Sequence, residues 1–302
     1  MPRKNHEAVS VAALQDSWEL SLRASGKSRD TLKTYTQGLG SFTRWCREHG
    51  EPEEVTRTRV QAWLTHLVDT GPHSTALTRL TAVRAFVRWA ASEEEVATNF
   101  LNDMKSPQPA YKVVQPYTEE ELRLFFRACQ GRSFLDRRDE ALARLISETG
   151  VRTGDCLTMT LRDTNLTGGI SKIFGKGSKE RQVSFGTTTA QALDRYIRLR
   201  RSHRLAHTDT LWLGERGQAL GPTGLRRSLQ RRAELAGLPG RFYPHRLRHT
   251  WASRWLDKGG SEQGLMKQAG WSSPRMAQRY SLANMEQRSI AEAKRLGLGD
   301  EL

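Results

Sequence analysis

Residues 245–280 read HRLRHTWASRWLDKGGSEQGLMKQAGWSSPRMAQRY. Two helix starts are written into this stretch. Pro244 suits the first position of one helix; Ser273 and Pro274 supply a cap and a first position for another. On the first helix His245, Arg248 and Ala252 fall at i, i+3 and i+7 and share a face, with His249 beside them, while Leu247 and Trp251 lie on another face. An imidazole and a guanidinium therefore project together from a helix N-terminus, where unpaired N–H groups and the helix dipole already favour an anion. On the second helix Tyr280 comes nearly two turns after the cap, with Met276 and Ala277 next to its face. Trp271, just before the cap, adds an indole N–H that can only donate. His245 and His249 are also spaced like a metal pair. However, Arg246 and Arg248 repel a cation and no Glu stands where a zinc hydrolase needs it, so no metal is expected.

Further toward the N-terminus, the apolar positions Leu142, Leu145 and Ile146 form a helical stripe that Gly150 ends, and Arg152 follows at once. Ile170–Phe174 and Arg181–Phe185 then flank Gly175-Lys176-Gly177-Ser178-Lys179-Glu180, the pattern of a β-hairpin with a glycine-rich turn. That turn is not a nucleotide-binding loop, because glycine follows the lysine and a strand, not a helix, comes next. A lysine at such a hairpin tip is usually solvated; the alternative is that Lys176, flanked by glycines, reaches over a substrate and protonates a leaving oxygen. Lys172 and Lys179 are the competing lysines.

The 302 residues suffice for two domains and a sizeable core. Formal net charge is +15 and the isoelectric point near 10.2, which points to a polyanionic partner. The excess is unevenly placed. Residues 1–110 carry 14 basic against 13 acidic side chains, and residues 111–302 the remaining 34 against 20. Of the 48 basic residues 37 are arginine, which grips phosphate in two-pronged fashion. Cys46, Cys129 and Cys156 are too scattered for a disulfide framework or a zinc site. No apolar run is long enough to span a membrane and the N-terminus lacks a secretory core segment, so a cytoplasmic protein is expected.

Residues 10–100 read as helices with aromatic stripes: Leu14, Trp18 and Leu22; Tyr35, Leu39, Phe42 and Trp45; Val60, Trp63, Leu64 and Leu67; Leu80, Val83, Phe86 and Val87. Core packing is the expected use of these aromatics. The fourth helix offers Arg79, Arg84 and Arg88 as an outward basic face, and Lys33 adds a cation on the second. Residues 103–117 hold three prolines and no periodicity. The expected division is a helical domain over 1–105, a linker over 106–117, a second domain over 118–285 and a short amphipathic tail helix over 286–302. Thr118 followed by Glu119, Glu120 and Glu121 reads as a capped helix start. Arg226, Arg227, Arg231 and Arg232 make a doubly basic helix suited to lie on a phosphate backbone.

The ordered set resembles the tyrosine recombinase (phage integrase) family, of a simple type without an evident arm-binding domain. The resemblance rests on Thr149-Gly150-Val151-Arg152 with Asp155 three residues on, the Gly175-to-Arg181 hairpin, His245-x-x-Arg248-His249, Gly270-Trp271, and Tyr280 nine residues later. Two positions depart from the usual pattern: Trp271 stands where most relatives carry His, so that hydrogen bonding and not proton transfer is served there, and Asp155 stands where Glu is commoner. The resemblance implies a mainly α fold with a small β-sheet, an α+β catalytic domain joined to an N-terminal helical SAM-like core-binding domain in a two-domain DNA clamp. It implies that Tyr280 attacks a scissile phosphorus, leaving a 3′-phosphotyrosine, with Arg152, Lys176, His245, Arg248 and Trp271 as catalytic partners and Asp155 and His249 in support. Lys33, Arg79, Arg84, Arg226, Arg227 and Arg231 become candidate DNA contacts. The implied partners are duplex DNA with an inverted-repeat target, a homotetramer on two duplexes in which the tail docks on a neighbour, and a possible accessory directionality factor. No cofactor is implied, because the phosphotyrosine ester conserves the bond energy. Integration or excision of a mobile element is the leading role, with chromosome-dimer resolution, a type IB-like topoisomerase and a non-catalytic DNA-binding protein as alternatives.

The charge distribution generates a prediction. DNA affinity should fall steeply with salt, log K declining linearly with log salt at a slope of several units, as about one counterion is released per phosphate contact. A slope near one in a fluorescence titration would rule out an extended duplex interface.

Overall fold

The architecture is that of a computed structural model, which describes residues 8–108, 114–175, 180–215, 217–240, 242–281 and 285–297, excluding the side chains of Arg275, Arg279, Ser281, residues 285–288 and Ala291. The chain divides into two compact units, Met1–Lys112 and Val113–Leu302.

The first unit is helical, with a short antiparallel strand pair. β1 (Ala8–Ser10) pairs with β2 (Glu54–Thr56), and α1 (Val11–Ala24), α2 (Arg29–Glu48), α3 (Arg57–Thr70) and α4 (His73–Ser92) build the body. Three starts are fixed by hydroxyl caps: Ser10, Ser28 and Thr56 accept from the backbone N–H groups of Ala13, Thr31 and Arg59. The expected aromatic stripes converge in one core, where Trp18 meets Phe86 edge-on at 5.3 Å and Phe42 meets Trp63 edge-on at 5.5 Å. Helices α2 and α4 cross at Gly38, where an added Cβ would come within 2.4 Å of the Ala82 Cβ, so only glycine permits this approach.

Two features of this unit differ from the expectation. The β1–β2 pair was not anticipated, because three-residue strands carry too little alternation to register as a pattern. Arg79, Arg84 and Arg88 do not share one outward face. At about 100° per residue, position 79 differs from 84 by about 140° and from 88 by about 180°, while 84 and 88 are only about 40° apart. Arg84 is half-buried and donates to the Met104 carbonyl and, at 2.7 Å, to Ser106 Oγ, pinning the segment after the helices. Lys33 is exposed, and Arg79 lines a polar groove with Gln37, Ser41, Arg44 and Thr75.

The second unit packs α5 (Glu119–Cys129), α6 (Phe134–Thr149), α7 (Thr153–Leu157), α8 (Thr187–Arg200), α9 (Pro222–Leu235) and α10 (Pro244–Asp257) around one core, followed by α11 (Glu262–Ala269), α12 (Pro274–Ser281) and α13 (Met285–Leu296). The capping box of Thr118 with Glu121 is formed. A three-stranded antiparallel sheet runs β3 (Thr164–Asn165), β4 (Ile170–Phe174), β5 (Glu180–Ser184), with Phe174 opposite Glu180. Ile173 and Val183 point into the core, so the hairpin is anchored at its base. Tyr117, at the end of the expected linker, is buried in the same core.

Arginines do internal work here. Arg138 and Arg232 converge on buried Asp139, and Arg232 also reaches Asp136 at 2.8 Å, which turns it away from the exposed Arg226, Arg227 and Arg231 on the same helix. Buried Arg200 donates to the carbonyls of Ala206, Thr208, Thr210 and Leu211 and thereby orders the loop after α8. The three thiols are buried, and burial pushes that of Cys46 up to about 11 and that of Cys129 to about 12, so they act as small apolar groups. Among the described residues no helix is long and apolar enough to cross a membrane.

Candidate active site

Arg248 is the structural centre of the site. It is 1% exposed, yet its guanidinium is paired on both sides. One Nη donates to the carbonyl of Gly150, the left-handed residue that ends α6, and the other donates to the carbonyl of Ala269 at 2.7 Å, at the end of α11. Gly150 is required at its position for two reasons. Its φ is +60°, and a Cβ there would overlap the Trp251 indole. The charge of Arg248 is costly to bury. Desolvation first, and the nearby charge of Arg152 second, bring its pKa down to about 10, with Arg181 adding to the effect and Tyr280 and Asp155 opposing it. At neutral pH it remains a cation.

Arg152 sits just past Gly150, at the cap of α7. Its Nη2 donates to the Gly270 carbonyl at 3.1 Å, and its Nη1 lies 3.7 Å from Asp155 Oδ2. The same Asp155 oxygen accepts from Arg181 on β5 at 2.7 Å. One carboxylate thus orients two arginines and ties the hairpin to α7. The sequence reading included Arg181 in the hairpin motif but gave it no task. Three guanidiniums, of Arg152, Arg181 and Arg248, act on one another here with one nearby acid, and the excess positive charge suits a bound anion. Arg152 keeps 38% of its side chain exposed and is the cation most open to a ligand.

Tyr280 is held on three sides. Its ring stacks on Trp271 at 5.2 Å with a 9° interplanar angle, and the guanidinium of Arg248 lies 5.3 Å over that same indole. Its hydroxyl is 2.5 Å from His249 Nδ1. Helix α12 is seated through Ala277 and Met276 in a small apolar cluster with Trp251, Ala252, Leu265 and Ala269, separate from the main core. His245 stands at the more exposed start of α10, edge-on to His249 at 4.8 Å. The surrounding protein, Arg248 and Arg152 together hold its imidazole below the ordinary value, which favours the neutral ring near pH 7.

The structure brings Arg152, Asp155, His245, Arg248, His249, Trp271 and Tyr280 together. Lys176 and Lys179 lie outside the described residues. Lys172 is on the β4 ladder, 3.5 Å from Glu180. Arg226, Arg227 and Arg231 stand exposed on α9, outside this cluster of contacts. Sequence spacing did not disclose the stacking use of Trp271, because an indole before a helix cap carries no sign of which ring it will face.

Comparison with known proteins agrees with this geometry. The profile of the phage integrase family matches residues 116–287, and that of the phage integrase N-terminal SAM-like domain matches residues 16–94. Tyrosine recombinase XerC of Oceanobacillus iheyensis is 30% identical over 258 residues, covering 83% of this chain and 85% of its own length. Tyrosine recombinase XerD of Chlorobaculum tepidum is 28% identical, covering 84% of this chain and 87% of its own length. Among solved structures the fold is shared by XerH site-specific recombinase bound to palindromic difH substrate, with a TM-score of 0.73 at 19% identity over 87% of this chain and 79% of that one. It is also shared by a lambda integrase dimer bound to a COC′ core site, with a TM-score of 0.69 at 21% identity over 90% of this chain and 95% of that one. The chain belongs to the phage integrase family. It is a site-specific tyrosine recombinase, an enzyme that breaks and rejoins DNA.

Arg248 and Arg152 should respond differently to truncation. Arg248→Ala strands two buried carbonyls and should lower stability by about 2–4 kcal/mol, whereas Arg152→Ala, at a partly exposed site, should cost under about 1 kcal/mol. Urea denaturation of both variants checks this. Equal losses would mean that Arg248 does not hold the site together.

Proposed function

We propose that this recombinase cuts duplex DNA at a specific inverted-repeat site with Tyr280 as nucleophile. The observation that carries the reading is the Tyr280 hydroxyl, fixed by Trp271 and His249 beside the arginine cluster. A phosphodiester is anionic and resists attack, so cations must be preorganised around the developing charge. Arg152 and Arg248 fill that role at the non-bridging oxygens, with His245 and Trp271 as further donors. The Tyr280 oxygen forms a bond to phosphorus, the bond to the 5′-oxygen breaks, and Lys176 gives that oxygen its proton. Attack by the 5′-hydroxyl of another strand reverses the sequence. The phosphotyrosine ester conserves the bond energy, so neither ATP nor a metal ion is needed.

Around this chemistry we place a helical core-binding domain over 1–105, a linker over 106–117, the catalytic domain over 118–285 and a tail helix over 286–302, together clamping a duplex. Lys33, Arg79, Arg84, Arg226, Arg227 and Arg231 are its backbone contacts. Exposed Ile290 and Leu296 on α13, each 51% accessible, support docking of the tail on a neighbouring protomer in a tetramer. The enzyme acts in the cytoplasm, in integration or excision of a mobile element with an accessory directionality factor. Resolution of chromosome or plasmid dimers is the second reading, favoured by relatives that carry the XerC and XerD names.

Tyr280→Phe should bind DNA with near-normal affinity and form no covalent adduct on a nicked substrate, read on a denaturing gel. A persisting adduct would move the nucleophile elsewhere, with Tyr243 the first alternative.

A further inference from the structure

The geometry points to His249, and not His245, as the residue that receives the phenolic proton of Tyr280. This inference rests on Tyr280 being the nucleophile. His249 Nδ1 is 2.5 Å from the Tyr280 oxygen, and the two rings lie 5.3 Å apart at 37°. The stack on Trp271 and the seating of Ala277 fix the phenol in that orientation. The contact is therefore built into the packing of α12 on α10. His245 lies one turn earlier, and its recorded ring contact is with His249. Among the described residues the ionisable groups of this cluster include His245 and Arg248 on the same helix, Arg152 and Asp155 at α7, and Arg181 on β5, with Tyr280 itself on α12. His245 is held toward its neutral form, so it does not oppose a proton arriving on its neighbour. Arg248, its neighbour in the chain, does oppose it, which favours handing the proton back to the phenolate when the intermediate is resolved.

In this step neutral His249, with its own proton on Nε2, accepts the Tyr280 proton on Nδ1. The freed oxygen pair forms the bond to phosphorus, the bond to the 5′-oxygen breaks, and the general acid protonates that oxygen. When a 5′-hydroxyl attacks the phosphotyrosine, that hydroxyl gives its proton back to the deprotonated general acid and His249 returns its own to the departing phenolate. Protons and electron pairs balance over the cycle without a co-reactant.

The test is single-turnover cleavage by the full chain, using a nicked duplex that carries the inverted repeat flanking the gene. His249→Asn places a carboxamide oxygen near the Nδ1 position; it accepts the phenol's hydrogen bond but cannot take its proton. The expected result is cleavage about 100-fold slower at pH 7, with unchanged DNA affinity and thermal midpoint. The deficit should shrink at least tenfold by about pH 9.5, near the phenol's ordinary pKa of about 10, as Tyr280 ionises unaided. His249→Ala should be at least as slow, and His249→Asn keeps the idea testable if the alanine variant unfolds. Wild-type speed in His249→Asn, or a deficit constant with pH, would overturn the inference while leaving Tyr280 as nucleophile intact. Absence of a Tyr280 adduct in the wild type would overturn both.

Discussion

The site depends on one buried guanidinium. Arg248 bonds to the carbonyl ends of two helices that are far apart in sequence, at Gly150 and Ala269, and its charge lies over the Trp271 ring. Helix C-termini leave carbonyls without partners inside the helix, and they carry partial negative charge. A cation placed between two of them offsets its own desolvation and fixes the elements on either side. The residue after Gly150 leads into Arg152, and the residues after Ala269 lead into Trp271 and Tyr280. The functional groups therefore inherit their positions from a contact that is itself structural.

A second carboxylate-centred contact extends this frame to the hairpin. Asp155 accepts from Arg181 on β5 and lies beside Arg152 on α7. The β4–β5 turn that carries Lys176 springs from strands whose inner side chains, Ile173 and Val183, are locked in the core. Lys176, proposed as the general acid, follows shortly after this anchored strand in the sequence. The tyrosine is treated differently: its ring is clamped between indole and imidazole, and only its hydroxyl is left to chemistry.

Much of this was legible in the sequence because it is local. Gly150 as a helix stop, Ser273-Pro274 as a helix start, the Thr118–Glu121 capping box and the hairpin strands each follow from a few neighbouring residues. What escaped depends on three-dimensional partners. Nothing in the local pattern shows that Arg84 bonds to Met104 and Ser106, more than a dozen residues further along the chain. Arg232 sat in a basic run, yet it belongs to the Asp136–Asp139 pair. His249 looked like an accessory to Arg248, because nothing in a one-dimensional pattern reveals which of two imidazoles one turn apart will meet a phenol arriving from another helix.

The central claim is that Tyr280, placed by Arg248 through Trp271, forms the covalent bond to DNA. The most direct measurement is mass spectrometry of the DNA-linked peptide released by protease from a complex trapped on a nicked substrate. The account predicts a nucleotide mass on Tyr280, attached through its 3′-phosphate. A modified Tyr243, or a nucleotide linked through its 5′-phosphate, would contradict it.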